Sequence, residues 1–420
     1  MVRTALITTA LITTALIVAS ALSGHAMDTR EGIFMPKFRT LKVRNVDNFD
    51  AMPVIRMGTE DRVEITFDEL GDDNSWLEYR LVHCNADWQP SRLLDSEFTD
   101  CFNAVKIVDF AQSAATYVHY VNYRIEIPNE QTHLLQSGNY LLQVYDPDEP
   151  DNVILQARFQ VSENYATVAG IYNARTDRGY NDRYQQLSLA VTADLSDGSN
   201  PYQDYKLEIR RNIGDMPVRE ISVPSRVNGN ELIYAHDPQL IFPAGNEYRR
   251  FESVSNSFPG MNVDSLKYMG CNYHVWLRPD ELRDDAEYVF DRTQHGRYIV
   301  REYNATDSNL GADYITVHFM LKADEMPGME VYVDGEMTHG RYDKSNRMTY
   351  SAADGAYVLE MPLKQGAYNY RYVARDSDGN IRELDGDKWQ TMNQYWVNVW
   401  QRRPGQRADR LIGVDVISDQ

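Results

Sequence analysis

Nine histidines, three cysteines and 62 carboxylates are the residues of this 420-residue chain that could carry acid–base, nucleophilic or metal chemistry. Their spacing points to none of these. No Gly-x4-Gly-Lys-Ser/Thr loop is present to cradle phosphate, and neither a Gly-x-Ser-x-Gly elbow nor a His-Glu-x-x-His helix occurs. The histidines are scattered; His83, His119 and His318 lie in strand-like runs, where a single imidazole is usually a satisfied structural residue. Two acidic loops, Asp146 to Asp151 and Asp376 to Asn380, could offer oxygens to calcium, but neither has the downstream glutamate that completes such a loop. Both fall between strands, where Asp, Pro and Gly are needed simply to turn the chain. The reading is a protein without catalytic residues, metal or cofactor, acting by binding.

The cysteines, Cys84, Cys101 and Cys271, allow at most one internal disulfide. Cys84 and Cys101 are the pair close in sequence. Cys84 also sits inside an apolar strand pattern, so a buried free thiol is an equal alternative.

The elements that would hold these residues are strands. Period-two alternation recurs in Val63-x-Ile65-x-Phe67, Val121 to Ile127, Tyr140-x-Leu142-x-Val144, Tyr205-x-Leu207-x-Ile209, Tyr357 to Leu363 and Tyr368-x-Tyr370-x-Tyr372. Turn formers separate them at Asp194 to Pro201, Ala353 to Gly355, Asp376 to Asn380 and Asp385-Gly386, which reads as antiparallel hairpins. The class is all-β, with tandem immunoglobulin-like sandwiches preferred to a single barrel. Leu135-x-x-Gly138-x-Tyr140 and Leu363-x-x-Gly366-x-Tyr368 share one pattern, each ahead of an alternating strand. Such a tyrosine can lock a sandwich corner through a hydroxyl-to-backbone hydrogen bond.

Residues 1–26 carry Arg3, an apolar run and the ending Ser23-Gly24-His25-Ala26, the pattern of a cleaved secretory signal peptide. Its removal takes away one arginine and no acid, moving the net charge from −20 to −21. Such a surface argues against nucleic acid and anionic lipid as partners. No later apolar run is long enough to insert into a bilayer. At about 150 residues per domain the length implies two or three domains. The expected division is 30–162, 163–304 and 305–403, with a polar tail at 404–420. The 28 tyrosines and 6 tryptophans exceed what sandwich cores use and favour an interface or a carbohydrate platform.

Several motifs resemble the plug protein family of the Bacteroidetes type IX secretion system. They are His83-Cys84-Asn85-Ala86-Asp87-Trp88 with Pro90-Ser91, then Tyr117 to Tyr120 (with His119) leading to Pro128-Asn129, and Ser137-Gly138-Asn139-Tyr140. Further along come Ala244-Gly245-Asn246-Glu247-Tyr248-Arg249, Asp291 to Arg297, Ala312 to Phe319 and Gln365-Gly366-x-Tyr368-x-Tyr370. Cys101 stands where glycine is expected and His295 where asparagine is. The resemblance implies a periplasmic stopper on the mouth of the outer-membrane translocon barrel, with that barrel as partner and the motif residues mainly structural. The alternative is a carbohydrate-binding protein, because residues 312 to 375 are also similar to the sandwich appended to starch-active enzymes, through Val333-Asp334-Gly335 and the Gln365 hairpin. A hydrolase has no motif to rest on.

Overall fold

The computed structural model describes residues 27–196, 198–214 and 218–418, so the signal-peptide segment 1–26 lies outside the described residues. Residues 27–30 belong to a unit separate from Glu31–Gln420; within them Arg30 pairs with Asp28 at 2.8 Å.

Alternation becomes strand wherever the sequence carries it. Val63, Ile65 and Phe67 oppose Ile127, Ile125 and Tyr123 across the ladder between Val63–Leu70 and Tyr120–Ile127, and all six side chains enter one core. The described residues from Glu31 onward form six sheets, predominantly antiparallel, which enclose three main cores. The fold is all-β, in β-sandwiches.

In the first sandwich one sheet runs Gly32–Ile33, Val153–Ser162, Gly138–Tyr145, Glu78–Cys84, Val105–Lys106, with Val54–Arg56 added in parallel. The facing sheet runs Phe38–Asn45, Val63–Leu70, Tyr120–Ile127, Phe110–Gln112.

The other two sandwiches are not consecutive intervals of sequence. Strands Thr167–Asn173, Tyr184–Thr192, Glu231–Tyr234 and Arg226–Asn228 face a sheet of Arg219–Ile221, Tyr205–Arg211, Gln394–Gln401 and Arg410–Ser418. Tyr205 to Arg211 pair residue by residue with Gln401 back to Tyr395, so the end of the chain completes the second sandwich. The third, inserted between, spans Arg249 to Glu383. A boundary at 304/305 therefore does not separate sheets: Arg249–Ser253 and Tyr298–Val300 both pair with Gly366–Arg375. Nor is 404–420 a polar tail, because Arg410–Ser418 is a strand that buries Leu411, Ile412 and Ile417.

The turns at 352–355 and 376–380 close hairpins as expected. Asp194 to Pro201 instead carries the chain from one sheet of the second sandwich to the other, and Asp385-Gly386 lies on the return from the third. Both corner tyrosines do what their pattern implies. The Tyr140 hydroxyl donates to the Gln136 carbonyl at 2.8 Å, and that of Tyr368 donates to the Lys364 carbonyl, each four residues back. Gly138 has φ +145°, and a Cβ there would stand 2.5 Å from His83 Nε2, so the corner requires glycine.

Candidate functional site

The motif residues gather where sandwiches meet. His83 is the penultimate residue of the strand Glu78–Cys84, its ring held between the Ser91 hydroxyl (2.9 Å) and the Ser137 carbonyl (3.0 Å); burial pushes its pKa down. The following turn carries the first sandwich onto the second. The Ala86 N–H donates to Asp409 at 3.0 Å, the Asp409 N–H donates to Asn85 at 3.1 Å, and Ala86 packs with Trp400 and Leu411. Trp88, at φ +63°, lies with its ring 4.2 Å from the Arg158 guanidinium and packs with Cys84 and Leu141. Asp87 turns outward and accepts from the Gln89 N–H. Beyond the strand Val153–Ser162, Glu163 pairs with Arg410 and accepts from Ser137. Burial alone would raise the Glu163 carboxyl, yet Arg410 and Ser137 hold it below the usual range.

Against the third sandwich the contact is ionic and buried. Lys364 Nζ lies 2.7 Å from Asp68 Oδ2, both side chains being almost wholly out of water. Asp68 also accepts from Tyr314 (2.7 Å) and Asn122 (2.7 Å), and the Lys364 ammonium stands 4.0 Å from the Tyr120 ring. Burial lowers the Lys364 pKa, while Asp68 pulls it back up. The Tyr120 hydroxyl donates to the Ala312 carbonyl at 2.8 Å, and Asp313 accepts from the Tyr117 and Val118 N–H groups. Lys42 and Glu336 form a second ion pair across the same seam, and Arg297 donates to the Asp50 carbonyl at 2.6 Å. His119 is exposed and pairs with Asp72.

The chain passes from the second sandwich to the third at residues 244–248 and returns at 385–393, and the Gly-Asn-Glu motif ties the two passages together. The Gly245 N–H donates to Asp387 at 2.8 Å and its carbonyl accepts from Lys388 and Thr391. Asn246 donates to the Asp385 carbonyl, while Glu247 accepts from the Met392 N–H and the Tyr288 hydroxyl. Burial raises the Glu247 pKa. Gly245 has φ +62°. Gly366 opens the strand carrying Tyr368, and a Cβ there would meet the Ile299 carbonyl at 2.1 Å.

Among the described residues no group of three or more His, Cys, Asp or Glu side chains is arranged to hold a metal ion, and no helix is long and apolar enough to cross a membrane. The cysteines are free: Cys84 is buried with its thiol pushed up to about 12 by that burial, Cys101 is half-buried beside Thr99, and Cys271 is exposed. The tyrosine ladder Tyr368, Tyr370, Tyr372 is core, as are Tyr395, Trp396 and Trp400.

Other aromatic residues face water, among them Trp76 (79% exposed) and Phe102 (86%) on the first sandwich, where the aliphatic Val108 is 75% exposed. Neither Trp76 nor Phe102 falls in an alternating run or in a tyrosine-rich segment. The signal available was Trp76 itself, set directly after the turn-forming run Gly71-Asp-Asp-Asn-Ser75, which puts an indole on a loop.

Fold and contacts together define a class: an all-β protein of interlocked β-sandwiches. Residues 38–163, which make up most of the first sandwich, match the family described as "Type 9 secretion system plug protein 1st domain". The chain belongs to the type 9 secretion system plug protein family. A crystal structure of a hypothetical protein from Parabacteroides merdae is similar along nearly the whole length, with 34% identity and a TM-score of 0.89, covering 93% of this chain and 99% of that one. No curated protein matches.

Proposed function

We propose that this chain is a non-enzymatic plug that binds the periplasmic mouth of the outer-membrane type IX translocon barrel and keeps it closed when the shuttle partner is absent. The observation that carries this reading is the plug-family match over the first sandwich. The junctions support it. A stopper for a wide aqueous pore has to hold its form without a ligand, and buried pairs such as Asp68–Lys364 and Lys42–Glu336 fix one sandwich against another. The closing interface would be of at least standard size, about 1,600 Å² in total.

The residues on which the carbohydrate alternative rests in the third sandwich give it no support. Its tyrosine ladder is buried and Asp334 of the Val333-Asp334-Gly335 turn is engaged by Arg371 at 2.9 Å.

Deleting the gene is expected to raise cell uptake of large antibiotics that intact outer membranes exclude, with restoration by the full chain. Unchanged permeability in the deletion strain counts against the plug reading.

A further inference from the structure

Among the described residues the first sandwich has one long side that meets another sandwich only at one end, where Glu97 pairs with Arg407. Its sheet containing Phe38–Asn45 and Val63–Leu70 faces the third sandwich through Thr40, Lys42 and Asp68. Its strand Val153–Ser162 and the turn at Asn85 to Trp88 meet the second through Gln160, Glu163 and Asp409. What remains is the edge formed by Glu78–Cys84 with Val105–Lys106, together with the flanking segments 71–77 and 93–112.

Trp76, Leu94, Phe102, Val108 and Phe110, all exposed, lie along this edge. Glu78 opposes Lys106 and Tyr79 opposes Val105, and the Ile107 N–H donates to the Leu77 carbonyl at 2.9 Å. Continued by one residue, this register sets Trp76 against Val108. Phe110, 42% exposed, follows on the next strand, and Gln112 donates to the Asp72 carbonyl at 3.0 Å, which draws that strand to the Trp76 loop. Further along the edge Asn103 caps both backbone groups of Leu81 and donates to Asp95, holding Phe102 and Leu94 outward. Contiguous apolar surface of this kind marks a contact site, and tryptophan is the residue type most often found as its anchor.

Charge indicates what fits there. Asp72, Asp73, Glu78, Asp95 and Asp109 belong to this edge and its flanks, against two cations, Arg80 and Lys106. A complementary surface has an apolar socket for the indole framed by lysine or arginine, since opposed charges at a rim set orientation and speed encounter. We infer that this Trp76–Val108 edge is the face by which the plug seats on its partner, and that the occupant is the periplasmic rim of an outer-membrane barrel with such a basic-framed apolar socket. The inference rests on the plug reading and specifies its contact surface.

Photo-crosslinking in the native cell tests it. Full-length chains carry benzoylphenylalanine in place of Val108 or, as a control on the second sandwich, of exposed Ile171. Adducts are recovered through a tag and sequenced. The expected result is an adduct with an outer-membrane barrel protein from position 108 and little from 171. In a chain that also carries Trp76→Ser, at unchanged abundance and melting temperature, that adduct falls at least about 10-fold. A barrel adduct from 171 alone, or equally from both, leaves the plug reading standing and overturns the edge as its seat. An adduct between two copies of this chain overturns the choice of occupant. An undiminished adduct with Trp76→Ser overturns the anchor role of the indole. Absence of any barrel adduct from both positions removes the plug reading and the inference together.

Discussion

Tyr140 and Tyr368 sit in different sandwiches and do one local task, tying a hydroxyl to a carbonyl four residues back at the start of a strand. Both are buried, so replacement by phenylalanine leaves an acceptor without its donor and no water to substitute. Tyr140→Phe and Tyr368→Phe should each cost about 1–2 kcal/mol, read from the urea midpoint; an unshifted midpoint would show that the corners hold without the hydroxyl. His295 is the second residue with a sharp expectation. It adopts φ +53°, and burial with the nearby Arg297 charge pushes its pKa down to about 4. Unfolded histidine takes up its proton near 6.5. Between those values the unfolded state binds more protons, so stability falls as pH drops from about 6.5 towards 4 and is indifferent to this group above about 7. His295→Asn, which suits positive φ and does not titrate, should gain about 2 kcal/mol near pH 4.5 and far less at pH 7.5 in paired melts. Equal effects at the two pH values would assign the change to backbone alone.

At the scale of strands, much was legible from sequence and pairing was not. Val63 to Phe67 and Tyr357 to Leu363 announce themselves because one side faces a core and the other does not, a property local to five or seven residues. Which strand lies beside Tyr205–Arg211 depends on contacts with Gln394–Gln401, nearly two hundred residues away, and no local pattern encodes that choice. The same holds for Arg410–Ser418, whose Arg410, Asp415 and Ser418 give it a polar look while Leu411, Ile412 and Ile417 enter the core. The motif at His83 was visible as sequence, but its place against Asp409 was not. Ending the chain after Arg403 should expose the second core and make residues 166–243 protease-sensitive, while the third sandwich, closed within 249–384, resists. Proteolysis followed by mass mapping reads this directly, and equal sensitivity of both regions would contradict the assignment of the final strand.

For the whole molecule the telling contact is Asp68 with Lys364, since neither side chain has water to fall back on. Lys364→Met strands a buried carboxylate and should cost about 3–5 kcal/mol, whereas adding Asp68→Asn should recover more than half of it. Calorimetric melts of the two variants decide this, and a harmless single variant would mean that the seam is wetter than its geometry indicates. The order of assembly follows from a different feature, the sheet in which Tyr205–Arg211 neighbours Gln394–Gln401. A polypeptide emerging from its amino end, through a ribosome or a membrane pore, presents the earlier strand long before its neighbour exists. Tyr205–Arg211, paired on one side with Arg219–Ile221, must wait with its other edge open until Gln394–Gln401 arrives. Prematurely terminated chains would therefore keep an open strand edge, the kind of surface that chaperones and proteases recognise, and only finished copies would escape that surveillance.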